Sequence, residues 1–442
     1  MTYRRLGLSL FALSALVAAF VASPVSAASP GSIQKISDSQ LKALSTTLGG
    51  AKPLTMSKTL QHWFAQSTNP VDGITYGYNM VGVDPASNSS ATIQVDITPI
   101  NVNIGGLTFN GTDVVAPTLA SPQFASSDYG STPAATAAGS FPNAPAFIRG
   151  AGGALSQLDA GNQLQLEDAT MRAQFNQTGT SGYHLRLNPV VEPALTLNVP
   201  SGAGVLLQSG RGVIFADINI AWWGSRIQNL MQTADPTHLP LYLTNNVLLH
   251  IGSDVFNCCV IGFHGAGEVL GHGTGSVHGN GNQAVQTFSW ASWVQPGIYA
   301  RPAGGTDWAL QDIHALSHEI SEWADDPFVN NTVQPWLTPT APQYGCTVLL
   351  ETGDPVVGIG FAIGNNTFQQ GPNPFPDAQG NPTFSADGFY HPEDEAYVQW
   401  FMRASPNTTA EPTQAPSANI GRYTLMGDLN PFPGFRQPAT GC

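Results

Sequence analysis

Four segments between residues 90 and 200 alternate apolar and polar residues, and a period of two predicts half-buried strands. Glycine, proline and asparagine lie between them, as is typical of turns. Residues 117–155, rich in Ala, Ser, Pro and Gly, predict a long surface excursion. The alternating segments are ATIQVDITPINVNI (91–104), NQLQLEDATMRAQF (162–175), YHLRLNPVV (183–191) and ALTLNVP (194–200).

The pattern changes after about residue 205, where apolar runs typical of strands alternate with segments of helical spacing. Two short helices are also predicted before residue 70. The predicted strands are GVIFADINI (212–220), LPLYLTNNVLLHIG (239–252), CCVIGFHGAG (258–267) and AVQTFSWASWV (284–294). The predicted helices are 37–48, 58–66, 221–234, 306–324 and HPEDEAYVQWFMR (391–403), the last with Pro392 in its first turn.

This order of strand, helix, strands and helix favours an α+β fold for the second half of the chain. Four parts are therefore expected. They are a signal peptide (1–27), an N-terminal region of short helices followed by β-rich sequence (28–200), an α+β domain (201–403) and an irregular tail (404–442).

The first residues predict export. Arg4 and Arg5 precede an apolar run, and small residues follow up to Ala27, where cleavage is expected. A secreted protein is therefore predicted, with the periplasm or the cell wall as alternatives and no membrane attachment after cleavage. The formal net charge is -14, and only 10% of residues are charged. Without a basic patch to bind phosphates, the chain is not expected to bind nucleic acid.

Four cysteines are present, and an oxidising compartment favours disulfides. Cys258 and Cys259 are adjacent, so each is expected to pair with Cys346 or Cys442 rather than with its neighbour. The sequence leaves the pairing open. No CxxC spacing occurs, which argues against a zinc site built from thiolates.

The segment HALSHEISEWADDP (314–327) is the strongest candidate for chemistry. On a helix, His318 and Glu322 are four positions apart on one face, and both side chains can bind one cation. Glu319 is rotated by about 100° and can reach a metal-bound water instead. The spacing HExxE thus predicts one Zn2+ per chain, or another divalent ion, with Glu319 as general base.

The third metal ligand is left open by the sequence, with Glu351 in CTVLLETGDP favoured because it follows a predicted strand. A straight helix separates positions 314 and 322 by about 12 Å, so His314, a further candidate, is expected to support the ligands or to be a surface histidine rather than to bind the metal. The other candidates are Asp354, Asp325 and Asp326.

Two resemblances follow from these residues. The predicted elements resemble the catalytic domain of zincin metallopeptidases in their order. This order is a strand, a helix, the strand 239–249, the strand that contains GFHGA and finally the helix that contains His318 and Glu319, called the HE helix below. The segment SHEISEWADDPF (317–328) also resembles exordium-like (phosphate-induced) and uncharacterised secreted bacterial proteins. The resemblance implies a zincin-like domain over 201–403, with the active-site helix packed on a mixed sheet. It also implies metal binding by His318 and Glu322 and a catalytic base at Glu319.

His264 ends a predicted strand and is a candidate catalytic residue that stabilises an oxyanion, with a structural histidine as the alternative. A glycine-rich loop with His272 and His278 is interpreted as a plain loop or a flap beside the site. Tyr390 and His391 are interpreted as a turn residue and a cap. Glu393 and Glu395 are expected at a helix N-terminus, where acids are favourable.

The predicted function is a secreted zinc peptidase that acts on a peptide or protein substrate. The alternatives are a non-catalytic secreted or cell-wall protein with a degenerate zincin domain and a two-carboxylate glycosidase that uses Glu319 and Glu351. A serine hydrolase is disfavoured because no GxSxG occurs.

Overall fold

The structure is a computed structural model that describes part of the chain. The described residues are 58–128, 136–139, 148–149, 163–209, 213–269, 284–299, 311–339, 346–357, 359–360, 363–369, 388–404 and 423–425. Several predictions fall outside them: the signal peptide, the helix 37–48, the loop with His272 and His278, Cys442 and most of the tail.

Strands are more extensive than helices in the described part of the chain. The strands are β1 (His62–Thr68), β2 (Thr75–Val81), β3 (Ser90–Ile104), β4 (Leu107–Phe109), β5 (Ser127–Asp128), β6 (Thr136–Gly139), β7 (Ile148–Arg149), β8 (Gln163–Leu164), β9 (His184–Val191), β10 (Leu195–Asn198), β11 (Gly204–Gln208), β12 (Ile214–Asn219), β13 (Leu239–Asn245), β14 (Val247–His250), β15 (Cys258–Val260), β16 (Gly262–Val269), β17 (Ala284–Trp293), β18 (Thr332–Leu337), β19 (Cys346–Leu349) and β20 (Ile359–Gly360). The α-helices are α1 (Val115–Ala120), α2 (Leu166–Gln174), α3 (Ile220–Met231), α4 (His314–Asp325) and α5 (Val398–Phe401). The predicted α+β class is confirmed at this coarse level.

The largest sheet is mixed, with the order β10-β3-β13-β17-β16. β3 pairs in parallel with β9 along its first half, with β10 along its second half, and with β13 on its other side. β13 and β17 are parallel, whereas β16 is antiparallel to β17. Helix α4 packs against β16 and β17, so the HE helix lies against one end of this sheet.

This sheet contains strands from both sides of the boundary expected at residue 200. One hydrophobic core includes Ile93 and Leu185 before that boundary and Leu241 and Ile320 after it. The expected division into regions 28–200 and 201–403 therefore does not separate two cores in the described part of the chain. Strand pairing between distant segments brings both halves into one sheet.

The segment 239–252, predicted as one strand, forms β13 and β14 in two different sheets. Asn246 between them has φ 54°, a left-handed conformation that interrupts an extended strand. β14 lies in a second sheet of order β11-β12-β14-β15. Helix α3 follows β12 directly, and the Asn219 side chain caps it by accepting from the N–H groups of Ala221 and Trp222.

Three predicted elements are of the wrong type. Residues 58–66, predicted as a helix, contribute to β1, which pairs with the buried strand β2. Residues 162–175, predicted as a strand, are mostly the helix α2, whose residues are all buried. The stretch QLQL (163–166) at the start of this segment alternates polar and apolar residues, which favours a strand and led to the wrong prediction. Within 391–403 only α5 is helical, and residues 391–397 cross the face of α4 instead.

No helix among the described residues is long and apolar enough to cross a membrane. The sulfur atoms of Cys258 and Cys259 lie in close contact. The pairing of Cys258 and Cys259 with Cys346 or Cys442 stays a prediction.

Candidate metal centre

Helix α4 is buried along its whole length, and this burial includes its polar residues. Leu316, Ile320 and Trp323 belong to the core of the large sheet. The opposite side, with His318 and Glu322, faces the segments 351–354 and 391–395. After the helix ends, the Asp326 carboxylate accepts hydrogen bonds from the N–H groups of Asn330 and Asn331 and holds the following turn. The HE motif therefore does not lie on an exposed helix face.

His318 lies between two carboxylates. Its Nδ1 is 2.6 Å from Glu393 Oε2, and its Nε2 is 3.1 Å from Glu322 Oε1. Burial alone lowers the pKa of His318, but Glu322 and Glu393 raise this pKa well above its ordinary value. A hydrogen bond from Nδ1 to a carboxylate is the arrangement that orients metal-binding histidines and directs Nε2 to the ion. The short distance between His318 Nε2 and Glu322 requires a positive charge between them, which either a proton or a metal ion supplies.

Glu322 directs its two oxygens to two different histidines. Oε1 faces His318 and accepts from the N–H groups of Gly353 and Asp354, each at 3.3 Å. Oε2 lies 3.5 Å from Nδ1 of His264, which β16 carries. Burial raises the pKa of Glu322, but His318 and His264 together outweigh burial and lower the pKa below its ordinary value. The two histidines therefore stabilise the charged form of Glu322.

The structure brings Asp354 to the pair of predicted ligands. One ligand atom each of His318, Glu322 and Asp354 lie within 4.8 Å of one another, and all three residues are buried. Glu351 lies on the far side of His264, with its Oε2 3.9 Å from His264 Nε2. The sequence favoured Glu351 as the third ligand over Asp354. In the structure Asp354, not Glu351, lies where it can share a metal ion with His318 and Glu322.

The remaining candidates for the third ligand have other partners. Asp325 accepts a hydrogen bond from Gln174 Nε2 at 2.8 Å, and Asp326 binds the turn after α4. His314 Nε2 is 3.4 Å from Glu393 Oε2, behind the carboxylate that contacts His318. His314 is buried, so the expectation of a surface histidine is wrong, and its position behind Glu393 favours a supporting role.

Glu319 lies beside the predicted ligands. Both of its carboxylate oxygens are buried without a hydrogen-bond partner among the described residues. Its Oε2 is 3.5 Å from His264 Nδ1, and its Oε1 is 4.0 Å from His318 Nε2. Burial raises the pKa of Glu319. A carboxylate with a raised pKa and free lone pairs beside a cation site has the properties of a general base.

Two glycines leave the space that these side chains occupy. A Cβ on Gly262 of β16 would lie 2.6 Å from Glu319 Oε1. A Cβ on Gly353 would overlap with the ring of His318. The site therefore depends on the absence of a side chain at both positions.

The balance of charge in the site favours a cation. Glu319, Glu322, Glu351, Asp354 and Glu393 are all buried. In the described part of the chain, the basic side chains that pair with them are His264, His314 and His318. Burying several carboxylates is costly unless protons or cations compensate them. One imidazole and two carboxylates form a ligand set that zinc accepts and that other divalent ions also tolerate.

The sequence analysis missed the role of Glu393, which it placed at a helix N-terminus. The backbone from His391 to Tyr397 is not helical, and the Glu393 N–H donates to Ser317 Oγ at 2.9 Å, which fixes the residue beside α4. The acid-rich sequence HPEDE in a chain with few charges was the available signal. His391 pairs with Asp312 at 2.7 Å, and Tyr390 packs in the core, so neither binds in the candidate site.

We expect Glu393→Ala to lower the affinity for zinc by about 10–100-fold, because His318 loses the carboxylate that orients it. Glu393→Gln keeps an acceptor oxygen without the charge and should lose less. Zinc affinity is measured by competition with a chromophoric chelator. Equal affinity of the wild type and Glu393→Ala would contradict the role assigned to Glu393.

Comparisons with protein-family models, with curated proteins and with solved structures found no match for this chain.

Proposed function

We propose that this protein is a metal-dependent hydrolase, specifically a zinc peptidase in which His318, Glu322 and Asp354 bind the metal. One observation carries the proposal. One ligand atom each of His318 and Glu322 on the buried helix α4 and of Asp354 lie within 4.8 Å of one another, and both oxygens of the adjacent Glu319 lack a hydrogen-bond partner among the described residues. This is the arrangement that metal-assisted hydrolysis requires.

When bound, the zinc would polarise a carbonyl and lower the pKa of a bound water. Glu319 takes the proton of the attacking water and delivers it to the leaving nitrogen. His264, 3.5 Å from Glu319, donates to the oxygen that becomes negative in the transition state. Glu393 holds His318 in the orientation for binding. Each role belongs to a residue within a few ångströms of the candidate ligands.

The fold supports a zincin-like peptidase over other hydrolases. The resemblance implies an active-site helix packed on a mixed sheet, and α4 packs on the mixed sheet in this way. β16 ends the described strand order of the sheet and carries His264. An extended peptide can pair with a strand at a sheet edge through main-chain hydrogen bonds. A peptide substrate therefore suits this site better than a sugar, and the glycosidase alternative stays a prediction.

A second candidate function is a non-catalytic metal centre, and the burial of the site favours it. His318 and Glu319 are 0% exposed, and Glu322 is 3% exposed. A substrate needs access to the metal and to Glu319, whereas a structural metal site is closed. This candidate requires bound metal with no hydrolysis.

The test of the proposed function begins with the metal content of the purified protein. We expect about one tightly bound zinc per chain in the wild type after dialysis, and loss of this tightly bound zinc in His318→Ala and Glu322→Ala, since each loses a ligand. His238→Ala is the matched control, because His238 pairs with Asp96 away from the site, and it should keep the zinc. Absence of zinc in the wild type after incubation with the metal would refute both candidate functions. Zinc without hydrolysis of a peptide library would favour the non-catalytic centre.

A further inference from the structure

Glu322 lies at the middle of a nearly symmetrical chain of five side chains. On one side, Glu393 contacts His318 Nδ1 at 2.6 Å, and His318 Nε2 lies 3.1 Å from Glu322 Oε1. On the other side, Glu351 lies 3.9 Å from His264 Nε2, and His264 Nδ1 lies 3.5 Å from Glu322 Oε2. Each histidine thus has a carboxylate behind it and directs its other nitrogen to a separate oxygen of Glu322.

The side of Glu322 that faces His264 has three residues of its own that can bind a metal ion. One ligand atom each of His264, Glu319 and Glu322 lie within 4.8 Å of one another. The group of His318, Glu322 and Asp354 lies within the same distance. Both oxygens of Glu319 are buried without a hydrogen-bond partner among the described residues. His264 is 7% exposed and Glu319 is 0% exposed, so bulk water does not satisfy these groups. A buried carboxylate that lacks a hydrogen-bond partner, next to the imidazole of His264 and the carboxylate of Glu322, indicates a ligand.

We propose that His264, Glu319 and Oε2 of Glu322 form a second site for a divalent cation, and that a cation bound there inhibits the enzyme. One carboxylate can bridge two metal ions about 3.5–4 Å apart, one on each oxygen. The inhibition rests on the proposed function, because a Glu319 carboxylate that binds a cation cannot also accept a proton from water.

The second site is the weaker of the two. His318 is held by a 2.6 Å contact with Glu393, whereas the corresponding contact of His264 with Glu351 is 3.9 Å long. A histidine that is held less firmly loses more freedom on binding. A cation already bound at His318 also repels a second cation, because both share Glu322. The sites should therefore fill in sequence, with activity reached at the first equivalent and lost at higher zinc.

Calorimetric titration of the metal-free full-length protein with zinc tests the proposal, and peptide hydrolysis is followed over the same zinc range. We expect two zinc ions per chain in the wild type, and a fall in activity as the second ion binds. His264→Ala should weaken the second site by about 100-fold or more and leave one zinc per chain in the titrated range. His238→Ala, the control histidine, should still bind two.

The outcomes separate this inference from the proposed function. One zinc per chain in the wild type, with activity that excess zinc does not reduce, overturns the inference and leaves the proposed function intact. Two zinc ions in His264→Ala, or activity that rises with the second ion, also overturns it. Failure of the proposed function has a different signature, since the wild type would then bind no zinc or would bind zinc without hydrolysing peptides.

Discussion

Glu319→Gln should keep the first zinc and lose peptide hydrolysis by about 10²–10⁴-fold, the usual contribution of a general base. The amide has nearly the same shape as the carboxylate, so it fits beside Gly262 and leaves His318, Glu322 and Asp354 undisturbed. It cannot accept a proton from water at neutral pH. Metal content by elemental analysis and hydrolysis rates at one equivalent of zinc are the two measurements.

The matched control is Glu192→Gln, which makes the same chemical change in the turn between β9 and β10, outside the metal site. Glu192→Gln should keep the bound zinc and the wild-type rate of peptide hydrolysis. Wild-type activity in Glu319→Gln would remove Glu319 from the mechanism. Loss of the first zinc in Glu319→Gln would instead make Glu319 a ligand of that ion.

Gly353→Ala should lower zinc affinity by about 100-fold or more and destabilise the protein by about 1–3 kcal/mol, the usual cost of overpacking a core. Gly353 has φ -80°, a conformation that alanine adopts readily, so the backbone does not cause the effect. The added methyl group overlaps with the ring of His318, which must move away from Glu393 or from Glu322. Chelator competition measures the affinity, and thermal unfolding measures the stability.

Gly224→Ala in α3 is the control for Gly353→Ala, because among the described residues nothing outside the adjacent backbone of α3 lies within 4 Å of the added Cβ. It should leave zinc affinity unchanged and stabilise the helix slightly, since alanine is a better helix former than glycine. Wild-type zinc affinity in Gly353→Ala would show that His318 is not held in the position that the structure describes.

Local sequence patterns predicted several elements of this protein. Alternation of apolar and polar residues predicted β3, β9 and β10, and these strands are confirmed. Helical spacing predicted α3 and most of α4, and the one-turn separation of His318 and Glu322 follows from that helix alone. These features depend on residues within a few positions of one another, so a single sequence carries the information.

Patterns failed where burial or distant pairing decides the structure. The segment 162–175 contains the alternation QLQL, which predicted a strand, yet residues 166–174 are packed on all sides as the buried helix α2. Residues 62–66 lie in a strand because β2 offers them a partner, which no local preference records. Both cases show that tertiary contacts outweigh the weak local propensities of short segments.

For the candidate site, the sequence by itself determined the pair His318 and Glu322 and the neighbouring Glu319, because one helical turn sets their relation. Only the tertiary structure decided that Asp354, Glu393 and His264 meet them, since these residues lie on other segments, up to 75 positions away in the chain. Pairing of β16 with β17 places His264 against α4, and the nonhelical segment at 391–397 places Glu393 behind His318. Contacts of this kind arise from the packing of whole elements, so the spacing of residues along the chain does not reveal them.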